Sequence, residues 1–170
     1  MELSKIIKHV PDFPKPGIDF LDITPVLSDS EAFRYVIGCF LKELEGVDFD
    51  VVVSLESRGF IFGAPVALAL KKAFVPIRKK NKLPREKISE RYELEYGFDV
   101  LEMHSDAIKP GQKAAVIDDL LATGGTLEAS GKLIERLGGE IIKALFVLEL
   151  KELRGREKIS KYDIYSILKV

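Results

Sequence analysis

The chain has 170 residues, 46% hydrophobic and 31% charged, enough for one domain around one hydrophobic core. Its 26 Lys and Arg nearly cancel its 27 Asp and Glu, which argues against a nucleic-acid binder and leaves no acidic tail. No apolar run nears a membrane span, MELSKIIKHV is too short and charged for a signal peptide, and Cys39 stands alone, so neither a membrane partner nor a disulfide framework is expected and the cytoplasm is.

Residues 11–26, PDFPKPGIDFLDITPV, hold four prolines and one glycine and predict a stiff extended loop. The stretch SDSEAFRYVIGCFLKELEG predicts a helix. Phe33, Val36, Ile37, Phe40, Leu41 and Leu44 recur at its period, Ser28 and Glu31 fit a capping box, and Gly46 fits a stop. DVVVSL (50–55) is a short apolar run, typical of a strand buried on both faces. FIFGAPVALALKK follows as a helix with Pro65 near its start, and AFVPI (73–77) as a strand whose Pro76 implies an edge or a bend. Residues 79–98 are charged, contain Pro84, and have no clear core face. AAVIDD is a strand, GTLEASGKLIERLG a helix, and EIIKALFVLEL a strand.

Strands alternating with helices predict an α/β fold with a parallel sheet and crossover helices. In such sheets ligands bind beyond the carboxyl ends of strands. Two loops therefore matter: the one after 50–55 and the one after 114–118.

In the second loop, Thr123, Gly124, Gly125 and Thr126 sit where strand turns to helix. Free N–H groups and the helix dipole favour an anion there, and glycines allow close backbone approach. Taken alone, TGGT is equally a plain capped turn. No Lys stands where a Walker A motif needs one. Asp118 and Asp119 just upstream would repel a bare phosphate. A phosphorylated ribose reconciles the two features, because its hydroxyls can donate to carboxylates and magnesium can share the oxygens.

The stretch VIDDLLATGGT (116–126) closely resembles the phosphoribosyl pyrophosphate (PRPP) motif of type I phosphoribosyltransferases. PDFPKPGIDFLDITPVL, ESRGFIFGAPVAL, IRKKNKLP and YELEYG resemble, in the right order, the adenine phosphoribosyltransferase family, and the likeness runs from about residue 10 to 155. That resemblance implies a single type I phosphoribosyltransferase domain over 1–170, with a small N-terminal hood (1–28) and a flexible lid loop (79–98). It implies a magnesium-dependent enzyme of purine salvage that converts adenine and PRPP to AMP and pyrophosphate, commonly as a homodimer.

By the same resemblance, Asp118 and Asp119 bind the ribose hydroxyls, with any contact to Mg2+ made through PRPP or water. Ala122, Thr123, Gly124, Gly125 and Thr126 hold the 5-phosphate. Ser57, Arg58 and Gly59, in a loop of unusual peptide geometry, meet pyrophosphate together with Arg78, Lys79 and Lys82 of the lid. Clustered cations there would disperse charge on the leaving group, and a lid would exclude water. Glu95 matches the catalytic glutamate of LEYG and would manage the proton of the base. Phe20 would stack on the purine, Asp19 and Leu21 would read its edge through the main chain, and Leu150 would line the far side. Many relatives carry an apolar residue in place of Asp19 and Arg in place of Leu21.

Two rival readings are a phosphoribosyltransferase for a 6-oxo purine and a PRPP-sensing regulator without catalysis. The first would want a donor near the exocyclic position. The second would want a DNA-binding segment or a basic patch, and the near-neutral charge speaks against it. His9 and His104 lack ligand spacing and are expected to have no chemical role. Cys39 is expected to pack on a helix face.

Overall fold

The computed structural model describes residues 1–93 and 97–170. Its centre is a seven-stranded sheet in the order β5-β6-β4-β3-β7-β8-β9. The strands are β3 (Val51–Leu55), β4 (Ala73–Lys79), β5 (Lys87–Glu93), β6 (Phe98–His104), β7 (Lys113–Leu121), β8 (Glu140–Glu149) and β9 (Ile164–Lys169). Neighbours from β4 through β9 run parallel, whereas β6 joins β4, and β5 joins β6, antiparallel. The α/β expectation therefore holds, with an antiparallel edge added to the parallel core.

Strand periodicity builds the two core layers. On β3, Val51, Val53 and Leu55 face the layer that includes Leu127, Leu133 and Ile134 of α4 (Gly125–Arg136). Val52 faces the opposite layer, with Val36 and Phe40 of α2 (Ser30–Glu43) and Phe62 and Val66 of α3 (Arg58–Ala69). Successive side chains of a strand point to opposite faces, so a continuous apolar run fills both. A Cβ on Gly63 would lie 1.8 Å from Ser54 Oγ, so this glycine lets α3 lie close on the sheet.

Several expectations are corrected. The N-cap of α2 is Asp29, whose carboxylate accepts from the Glu31 and Ala32 N–H groups, while Ser28 ends a separate short helix, α1 (Thr24–Ser28). Helix α3 starts at Arg58, which leaves Pro65 in the helix interior. The proline-rich stretch contributes to a two-stranded hairpin, β1 (Lys8–Pro11) with β2 (Asp19–Asp22). Much of the expected lid loop is strand β5, whose Ile88 and Tyr92 pack on the α4 layer. Its charged alternate positions hide that period-two signal. Over 73–77, β4 pairs only with β3, because β6 meets it first at Arg78, so Pro76 has no ladder partner to disappoint on that side.

Candidate functional site

Strands β3 and β7 are neighbours at the middle of the sheet, and the chain turns into a helix after each. Their carboxyl ends open into one cleft of about 630 Å³, lined by the 56–58 loop, Lys79, Tyr92, Glu93, Asp118, Asp119, Leu120, Ala122, Thr123, Gly124 and Thr126. The two loops singled out by sequence thus converge as the position of ligand sites in open α/β sheets requires.

At the start of α4, Gly124 takes a left-handed φ of 81° as the N-cap. The first-turn N–H groups of α4 have no partner inside the helix and carry its positive end. Thr123 and Thr126 add hydroxyls. Gly125 lies beneath the lid strand, where a Cβ would come 3.3 Å from Glu93 O.

The acid pair closes β7. Asp118 is 8% exposed and Asp119 7%. Asp118 Oδ1 accepts from the Asp119 N–H at 2.9 Å, and Arg58 Nε lies 2.7 Å from Asp119 Oδ2. Burial, reinforced by the neighbouring Asp119 charge, pushes the Asp118 carboxyl well above the ordinary carboxylate range.

The other loop carries a cis peptide between Glu56 and Ser57. Gly59 supports the cleft from below: a Cβ there would lie 2.7 Å from Asp118 Oδ1 and 3.0 Å from Ile117 O. Arg58 also sits over the Phe20 ring, 5.8 Å from its centroid, and so links the acid pair to the hood.

The lid cations do not all face the ligand space. Lys79 lines the cleft, with its Nζ 3.6 Å from Asp99 Oδ2. Arg78 and Lys82 do not line it. The guanidinium of Arg78 grips Glu56, with Nε 3.1 Å from Oε2 and Nη2 3.3 Å from Oε1, and donates to Lys82 O. Burial works against ionisation of Glu56, but hydrogen bonds from Arg78 and from the Lys79 N–H outweigh it and lower its carboxyl. Glu95 lies outside the described residues.

Of the four residues expected at the base, the three on β2 are divided by its pleat. Asp19, Leu21 and Leu150 line a second cavity of about 500 Å³ with His9, Ile18 and Val170. Phe20 alternates to the other face, against Phe13 and beneath Arg58. The Asp19 carboxylate is taken by His9, Nδ1 to Oδ2 2.6 Å, so His9 has a partner at this cavity that its sequence context did not announce.

Residues missed by sequence reasoning include Glu56, Tyr92 and Gly155. Burial and the Asp99 carboxylate push the Tyr92 hydroxyl up to about 12, so it remains a donor at neutral pH. Glu56 stands immediately before the expected pyrophosphate loop, and adjacency was its only available signal. Gly155 had none.

Among the described residues, no group of three or more His, Cys, Asp or Glu comes together to hold a metal ion. Asp118 and Asp119 offer a pair, each with one oxygen already engaged. A divalent cation here would draw most of its oxygens from bound phosphates and water, as magnesium commonly does.

Comparisons with known proteins agree with this geometry. Residues 34–169 match the phosphoribosyl transferase domain family. The chain is 56% identical over 169 residues to an adenine phosphoribosyltransferase of Acetivibrio thermocellus, covering 99% of both chains. A crystal structure of adenine phosphoribosyltransferase from Thermoanaerobacter pseudethanolicus superposes with a TM-score of 0.96 at 53% identity, over 99% of this chain and 98% of that one. The enzyme of Saccharomyces cerevisiae, crystallised with adenine and an imino-altritol bisphosphate, superposes at 0.93 with 40% identity, over 98% and 96% of the two chains.

Proposed function

The chain belongs to the phosphoribosyl transferase domain family, and on that premise we propose how its cleft works: it transfers the phosphoribosyl group of PRPP to adenine, releasing AMP and pyrophosphate in purine salvage. One observation carries the reading. A glycine-lined helix start and a buried acid pair open into the same cleft, which suits a sugar phosphate and little else.

The 5-phosphate sits at Ala122–Thr126 on the free N–H groups of α4. The ribose hydroxyls donate to the acid pair, whose Asp119 is already faced by the Arg58 guanidinium. Pyrophosphate faces Ser57, Arg58 and Lys79. Arg78 and Lys82 act from behind Glu56, whose negative charge they offset. Adenine stacks on Phe20, and its ring nitrogen attacks C1 as the bond to pyrophosphate oxygen breaks. The attacking nitrogen then loses its proton, the role given to Glu95. Asp118 and Asp119 would help hold Mg2+ through PRPP oxygens or water, and the ion would neutralise charge on the leaving group.

Because Asp19 and Leu21 point away from Phe20, main-chain reading of the base tolerates their departure from the common family residues. A homodimer is supported by apolar side chains left outside on α3, where Leu68 is 82% exposed and Ile61 39%. The described residues contain no helix long and apolar enough to cross a membrane.

The test is product analysis with magnesium, PRPP and each of adenine, hypoxanthine, guanine and xanthine. Adenine alone should yield its mononucleotide, and chelation by EDTA should abolish the reaction. Turnover of a 6-oxo purine would overturn the base assignment. PRPP binding without turnover of any base would make the chain a regulator. Sedimentation velocity of the parent and of Leu68→Glu checks the dimer.

A further inference from the structure

The phosphate loop is held from behind by a segment distant in sequence. A Cβ on Gly155 would lie 2.1 Å from Ala122 O and 2.8 Å from Gly124 N, and one on Gly124 would lie 2.8 Å from Gly155 O. Two backbones are therefore in direct contact, with glycine on both sides. Next in the chain, Arg156 forks onto Glu149, Nε to Oε1 2.9 Å and Nη2 to Oε2 2.6 Å. It also donates to Ile164 O at 2.7 Å and to Ser166 Oγ at 3.3 Å, which ties the end of β8 to β9.

Glu149 is 5% exposed and precedes Leu150, whose N–H donates to Leu121 O at 2.9 Å. Leu150, Glu152, Leu153 and Val170 form one wall of the hood cavity. The segment 149–156 thus touches the phosphate loop at one end and builds the hood-side wall at the other. Neither Glu149 nor Arg156 lines either cavity, so neither meets a ligand there. Buried ion pairs are poor sources of net stability, because desolvation offsets most of the attraction, but a bidentate fork fixes direction.

We propose that residues 149–156 are a brace setting the spacing between the phosphate loop and the hood-side wall, with Gly155 and Arg156 as positioning residues for phosphoribosyl transfer. The proposal rests on the transferase reading above. A loop whose N–H groups must meet one phosphate needs support behind it, and small displacements of such groups are costly.

The experiment compares the full chain with Gly155→Ala, Arg156→Lys, Arg156→Met and Glu149→Gln. It reads calorimetric affinity for ribose 5-phosphate, KM for PRPP and for adenine, kcat, and Tm. Gly155→Ala should weaken ribose 5-phosphate binding on the order of 10- to 100-fold, and raise KM for PRPP in step. Arg156→Met should raise both KM values, and Arg156→Lys, which keeps the charge but loses the fork, should lie about 3- to 10-fold from the parent. Lowered Tm with unchanged affinity and unchanged KM values in the Arg156 and Glu149 variants would overturn the brace and leave a purely structural pair. If Gly155→Ala does not fold, Arg156→Lys still decides. A parent that binds ribose 5-phosphate but makes no AMP would sink the transferase reading, while the affinity comparison still judges the brace.

Discussion

The phosphate corner and the hood are built on opposite principles. At the corner, Asp118, Asp119 and Gly125 are buried, Gly59 and Gly155 press backbone against the site, and each acid is held, Asp118 by a main-chain N–H and Asp119 by Arg58. In the hood, every residue of β1 is exposed and Phe13 is 51% exposed, while the His9–Asp19 pair stands largely in water. The contrast teaches that the corner proposed for the sugar phosphate is held by packing, which tolerates little change. The base end is held by a hairpin and a ring contact, which tolerate side-chain variation as long as Phe20 keeps its face.

The sharpest way to break that contrast is Gly59→Ala. Its Cβ would meet Asp118 Oδ1 at 2.7 Å and Ile117 O at 3.0 Å, so α3 must shift away from β7. We expect kcat/KM for PRPP to fall on the order of 100-fold and stability by about 2 kcal/mol. A fully active, stable variant would mean the corner is softer than its packing indicates. Arg58→Ala should come next. It strips the charge partner from Asp119 and the cation from Phe20, so steady-state kinetics should lose about 10-fold or more in both substrates.

Acid unfolding sharpens the comparison differently. The Arg156 fork, against the cost of burial and with help from Ser166, holds Glu149 at about 2 rather than its ordinary 4.5. The folded pKa is depressed, so the stabilisation is complete above about 4.5 and is lost as pH falls towards about 2. Circular dichroism melts should therefore lose Tm across that window, and Glu149→Gln should flatten the loss. The smallest effect is expected in the hood. The His9–Asp19 pair is exposed on both sides, so His9→Ala and Asp19→Asn should change stability by less than about 1 kcal/mol and move only KM for adenine, about twofold. A larger effect on PRPP would join the hood to the corner.

Legibility followed the same divide. The run from Val116 to Thr126 could be read as strand, acid pair and helix start because each step is local: an apolar run, two carboxylates, and glycines at a turn. Helix α2 was legible by period, although its cap moved by one residue to Asp29 because the short helix α1 claimed Ser28. Strand β5 was hidden because Glu90 interrupts the face that Ile88 and Tyr92 pack on α4, where it pairs with Lys132 and Arg136. Strand β9 and helix α5 (Gly155–Lys158) close the chain after Leu150 and escaped the reading for want of a clear pattern.

By itself, then, the sequence determined the α/β class and the two strand-end loops, because backbone geometry and residue type act over a few neighbours. Only the tertiary structure decided that Arg78 serves Glu56, that Arg58 comes over Phe20 while Leu150 and Val170 come to Asp19 and Leu21, and that Gly155 backs the loop before α4. Each of these depends on chain segments far apart in sequence arriving at one place. No local pattern records such a meeting, because the contact belongs to the packing of both segments and not to either alone.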